Sequence, residues 1–81
     1  MPLLSDITIF DGPRGPRLHG TVIEHARYPD GTDIRTGTII SAVDDFGFRY
    51  VRTRRSKYAI DGSVDLKDLA RRIKEARNGK R

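Results

Sequence analysis

Apolar and polar residues alternate in short stretches up to Ile60 and then change period. Over 5–11, Ile7 and Ile9 fall on one face of a short first strand. The next stretch, 11–17, holds two prolines and two glycines and is expected to be loop. From Leu18 to Tyr28 the β-formers Thr21, Val22 and Ile23 stand among polar residues, and Pro29-Asp30-Gly31-Thr32 then reads as a turn. Residues 34–43 are rich in β-branched side chains and end at a second turn, Asp44-Asp45-Phe46-Gly47. Beyond it Phe48, Tyr50 and Arg52 alternate with Arg49, Val51 and Thr53, and a brief strand, Tyr58-Ala59-Ile60, closes the β region. Short strands with turn signals between them predict an antiparallel meander. So few residues cannot supply a two-sheet sandwich. The expected fold is therefore mostly β (α+β): a small, bent antiparallel barrel of the SH3-like or OB-like type. Gly20 and Gly37 would serve at its bends.

The C-terminal segment has a helical period. Leu66, Leu69, Ala70, Ile73 and Ala76 fall at i, i+3, i+4, i+7 and i+10, one face of a helix expected over 65–78. Asp65 suits the N-cap, Val64 and Leu69 occupy the positions of a hydrophobic staple, and Asn78-Gly79 supplies the stop. Asp68 near the start and Lys74 and Arg77 near the end match the helix dipole. The stripe is narrow, as expected of a helix lying across one end of a small barrel.

Length and composition bound what this architecture can do. An 81-residue chain buries one modest core, so residues 1–81 are expected to form a single domain: β region 5–60, helix 65–78 and a basic tail 79–81. The absence of cysteine excludes disulfides, thiolate zinc sites and a thiol nucleophile. No apolar run approaches the ~20 residues of a bilayer span, and the first residues lack the charged and apolar regions of a signal peptide. A soluble cytoplasmic domain with no membrane partner is the expectation.

Charge is unevenly placed. Residues 1–48 carry four basic and seven acidic side chains, a net of −3, whereas 49–81 carry twelve basic and four acidic ones, a net of +8. Such asymmetry points to a polyanionic partner.

The residues of catalysis are poorly represented. On one strand His19 and His25 would lie about 20 Å apart, too far to ligate one metal. Asp44 and Asp45 beside Phe46-Gly47 read as turn formers, and Asp30-Gly31-Thr32-Asp33 lacks the closing glutamate of a calcium loop. No serine has a G-x-S-x-G setting, and there is neither a P-loop nor a G-x-G-x-x-G. The expectation is no enzyme, no metal and no cofactor, unless a symmetric oligomer assembles a site at an interface.

The basic second half holds the better candidates. Phe48, Tyr50 and Tyr58 are interleaved with Arg49, Arg52, Arg54, Arg55 and Lys57. Small barrels that bind nucleic acid combine a positive groove with aromatic stacking platforms, because phosphate needs charge and any base offers a π-face. Tyr50 and Tyr58 are the candidate stackers and the five cations the candidate phosphate contacts. The same pattern also fits core aromatics beside arginines that block strand addition at an edge. On the helix, Lys67, Arg71 and Lys74 lie on neighbouring turns and would extend the surface, or simply solvate the helix; Glu75 partly neutralises them.

Tyr28-Pro-Asp-Gly-Thr-Asp-Ile-Arg-Thr36, with Val51-Arg-Thr53 and Tyr58-Ala-Ile60, resembles small β-rich proteins of bacterial and phage genomes. These share a pattern P-D-G-x-x-I-x-T, then V-x-T and an aromatic–x–aliphatic strand. The resemblance spans Gly20 to Ile60, implies a mobile-element or bacterial accessory protein, and carries no settled activity with it. Arg54-Arg55-Ser56-Lys57 departs from the glycine-containing turn of that pattern, so a local insertion or altered loop is expected there. Two functions follow as expectations. The first is a non-enzymatic nucleic-acid-binding module (DNA or RNA) with mainly electrostatic, weakly sequence-selective contacts. The second is an inhibitor or adaptor, comparable to an anti-CRISPR, that meets an acidic protein surface in a host nucleoprotein complex.

Overall fold

The computed structural model describes residues 1–79, so Lys80 and Arg81 of the expected basic tail lie outside the described residues. The elements are β1 (Leu3–Gly12), β2 (Gly15–Ile23), β3 (Thr32–Arg35), β4 (Ser41–Asp45), β5 (Phe48–Arg52), β6 (Lys57–Ile60) and α1 (Leu66–Arg77). The protein is mostly β, one six-stranded sheet with a C-terminal helix. No helix among the described residues is long and apolar enough to cross a membrane.

Strand order is β3-β2-β1-β6-β5-β4, which corrects the simple meander. Two antiparallel units, β1–β2–β3 and β4–β5–β6, are joined by a parallel contact between β1 and β6, with Leu3 opposite Ala59 and Leu4 opposite Ile60. Burial explains the register. Leu4 and Ile60 both point into the core, and the Pro2 and Leu4 carbonyls accept the amides of Ala59 at 2.9 Å and Asp61 at 3.2 Å.

The loop expected over 11–17 is mostly paired strand. Asp11 faces Pro16 and Gly12 faces Gly15, leaving Pro13-Arg14 as the turn. Pro16 has no amide to donate, but its carbonyl accepts Ile39 N at 2.9 Å. The stretch 34–43, expected as one strand, divides in two. Thr36 N donates to Leu18 O at 2.8 Å, and Thr36 Oγ1 accepts Leu18 N at 3.0 Å. Four residues later Ile40 N donates to Arg52 O at 2.8 Å. The chain therefore leaves β2 and joins β5 within the segment 36–40.

Gly20 lies where β1 slips register between Ser5 and Thr8. A Cβ on Gly20 would stand 2.7 Å from Ser5 O, so only glycine admits this approach. The bulged residue Asp6 takes φ 51°, and the amides of Asp6 and Ile7 donate to Asp61 Oδ2 and Ser63 Oγ.

One apolar core holds Leu4, Leu18, Val22, Ile39, Val51 and Tyr58 from the sheet side, with Leu69 and Ile73 from α1. The helix starts as its sequence predicts: Asp65 Oδ1 accepts Lys67 N at 3.0 Å and Asp68 N at 3.3 Å. Val64 and Leu69 are both buried at that end, while Gly79 takes φ 70° beyond the C-cap Asn78.

Candidate functional site

The positions of the basic residues follow from strand alternation and turn chemistry. Along β5 and just past it, Arg49, Val51 and Thr53 point inward, and Phe48, Tyr50 and Arg52 point outward. Arg49 is consequently a structural side chain. Its Nη2 donates to Val64 O at 2.7 Å and its Nη1 to Asp61 O at 3.5 Å. Tyr58 is only 6% exposed and packs in the core, its ring centroid 6.2 Å from that of His25, and it lines the cavity at Arg54 and Arg55 from within. Tyr50 lies outside beside Phe48, with ring centroids 5.5 Å apart and planes tilted by 37°. Arg52 and Lys57 are cross-strand partners. Tyr50 belongs to an outward row running Ile23–Leu3–Ala59–Tyr50–Val43 across five strands.

Thr53 shapes the turn between β5 and β6. Its Oγ1 accepts the amides of Arg55 at 3.2 Å and Ser56 at 3.0 Å, while Thr53 N donates to Ser56 O at 2.8 Å. The turn is therefore tight without a glycine and needs no inserted loop. Arg54 and Arg55 occupy its tip, both exposed.

These two arginines line a cavity of about 530 Å³ together with Arg14, Gly37, Thr38 and Ile40. A second cavity shares Arg14, Thr38 and Ile40 and adds Ile73 and Arg77. A third shares Ile40, Ile73 and Arg77 and adds Lys74. The three border one another through these shared residues, a run of concavities along Gly37–Ile40 between the β5–β6 turn and the C-terminal end of α1 that is called the groove. Ile40, 40% exposed, forms its apolar floor. Among the described residues, Arg14, Arg54, Arg55, Lys74 and Arg77 make no side-chain hydrogen bond or ion pair, and no carboxylate lines any part of the groove.

The two basic clusters therefore meet, but through a subset of the expected residues. Lys67 stands in the first turn of α1, away from the groove. Arg71 is bound to Asp68 and to Glu75 and lines a different cavity, with Asp11 and Arg72. The Arg71 hydrogen bond holds the Asp68 carboxyl below its ordinary pKa, and the two acids in turn raise that of Arg71. Arg14 and Arg77 were not singled out as contacts from the sequence. The G-P-R-G turn marks Arg14 as a hairpin tip, but only the fold shows that this tip packs between Thr38 and Ala76.

No three His, Asp or Glu side chains among the described residues converge as a metal-binding group. Compared with known proteins, the chain matches no family model, no curated protein and no solved structure.

Proposed function

We propose that this protein is a non-enzymatic nucleic-acid-binding module whose phosphate-binding surface is the groove along Gly37–Ile40. One observation carries the reading: five cations from three separate chain segments line a groove that no carboxylate of the described residues lines. Unpaired guanidinium groups converge on a concave surface at the cost of mutual repulsion, which a polyanion relieves. Lining hydroxyls from Thr38 and Ser56 would add neutral contacts to phosphate. Tyr50, Arg52 and Lys57 lie on the adjacent outward face and would extend the track. The helix α1 flanks the groove with Lys74 and Arg77, cations suited to phosphate, so contacts are mainly electrostatic and weakly selective.

The architectural side of the same reading is a small bent barrel of the SH3-like or OB-like kind. Support comes from the segment 36–40, which bonds to β2 at one end and to β5 at the other. A sheet bridged in this way would curl around its core, as a small barrel does.

Binding of fluorescently labelled duplex and single strands, followed by anisotropy at about 50 mM salt, tests the function. Saturable binding to both, lost on Arg54→Glu/Arg55→Glu, is expected; no binding at that salt refutes it. The alternative, a protein-binding inhibitor or adaptor of phage or mobile-element origin, is favoured by the exposed apolar side chains of Phe48 and Ile23 on the outward sheet face. Capture of a host protein that persists after nuclease treatment, without any affinity for nucleic acid, would establish that reading instead.

A further inference from the structure

The hairpin joining β4 and β5 ends in Phe46-Gly47, with φ 52° and 87°. Asp45 and Phe48 are the last paired residues, so the loop has two residues and both take positive φ. Asparagine followed by glycine suits such a turn, and a phenylalanine in its first position is strained. Asp44 Oδ1 holds the turn by accepting Gly47 N at 3.0 Å. Burial does not compensate the strain, because Phe46 is fully exposed, at 105%. Asp44 and Asp45, both exposed, immediately precede Phe46 in the chain and form no ion pair among the described residues. The tip is thus an aromatic knob with an acidic collar, on a chain whose net charge is +5.

The groove is its complement. It has Ile40 as an apolar floor, Arg14, Arg54 and Arg55 as a rim, no acidic side chain among its described lining residues and a cavity of about 530 Å³, ample for a phenyl ring. The tip cannot fold back into the groove of its own chain. Phe46 lies at the far end of β4, six residues from Ile40, or about 20 Å along an extended strand.

We infer that the Asp44-Asp45-Phe46 tip of one copy docks into the arginine-rimmed, Ile40-floored groove of a second copy. Phe46 covers Ile40, and the carboxylates of Asp44 and Asp45 meet Arg54, Arg55 and Arg14. The contact is heterologous, since tip and groove are different surfaces, so it adds copies head to tail instead of closing a symmetric pair. It uses the groove of the proposed function but does not depend on a nucleic-acid ligand.

The test is sedimentation velocity of nuclease-treated protein across a range of concentrations, with two variants. Asp45→Lys/Phe46→Asn alters the tip while giving the turn a better residue. Arg54→Glu/Arg55→Glu alters the groove, and circular dichroism checks that both variants fold. The wild type is expected to grow in mass with concentration, and each variant alone to remain a monomer. Mixed, the two variants should form a one-to-one heterodimer and nothing larger, because one retains the groove and the other the tip. A wild type that stays monomeric throughout, a tip variant that assembles like the wild type, or a mixture that fails to pair overturns the inference. None of these results depends on whether nucleic acid binds.

Discussion

Arg49 Nη2 and the Val64 carbonyl, 2.7 Å apart, tie the inward face of β5 to the residue before the helix N-cap. The guanidinium thereby sits under the β6–α1 connection, whose Asp61 and Ser63 side chains satisfy the two amides of the β1 bulge. One arginine thus holds the place where the first strand, the last strand and the helix meet.

Removing that side chain should cost stability and leave the groove intact. Arg49→Ala strands the Val64 carbonyl without its charged donor, a loss of about 1–3 kcal/mol. For a domain of this size the melting temperature falls by about 4–8 °C for each kcal/mol. Thermal unfolding measures it, and nucleic-acid affinity per folded molecule should not change. An unaltered melting temperature would show that the bond contributes nothing.

Two glycines should respond oppositely to a methyl group. Gly20→Ala pushes a Cβ to within 2.7 Å of Ser5 O and 2.9 Å of Leu4 Cγ, in the tightest part of the β1–β2 pairing. Crowding of this kind costs about 1–3 kcal/mol. Gly62→Ala meets only Arg49 Nη1, at 3.9 Å. There the stiffer unfolded chain should leave stability unchanged or raised by up to about 1 kcal/mol. Urea denaturation of both variants checks the contrast.

Acid should weaken the same junction. Burial raises the Asp61 pKa, but hydrogen bonds from Ser63 and the Asp6 amide, with the nearby Arg49 charge, outweigh it and hold the carboxyl below its ordinary value. A group depressed on folding stabilises above its unfolded pKa and loses that contribution as the pH falls through the folded value. Asp61→Asn should therefore be less stable than the wild type at neutral pH, with the two converging below about pH 4. Unfolding midpoints as a function of pH test this, and parallel curves would contradict it.

The charged residues of α1 should separate by position. Lys74→Ala removes a groove cation and should weaken nucleic-acid binding, whereas Arg71→Ala removes a guanidinium already held by Asp68 and Glu75. Affinity at fixed salt should fall for the first variant and hold for the second. The reverse order would place the binding surface on the other flank of the helix.

How much of this was legible in the sequence depended on whether a signal was local. The helix was, because its apolar period, the Asp65 cap and the Asn78-Gly79 stop are all carried by neighbouring residues. The inward and outward alternation of β5 was legible for the same reason. The pairing of β1 with β6 was not, since more than fifty residues separate Leu4 from Ile60 and neither segment marks its partner. The roles of Arg49 and Tyr58 were hidden because a cation or an aromatic has the same local signature in a core as on a surface; only the position of Val64 and the depth of the core distinguish them. Arg14 was missed because its tip becomes part of a basic groove only when the β1–β2 hairpin packs against Thr38.

The central claim is that the five cations of the groove, and not the net charge of the chain, bind a polyanion. The most direct measurement is the slope of log K against log salt for a DNA duplex, for the wild type and for Arg14→Ala/Arg54→Ala/Arg55→Ala. Neutralisation of about five phosphates predicts a slope near −4.5, and removal of three cations predicts a slope near −1.8. A slope near zero in the wild type, or the same slope in both proteins, would contradict the account.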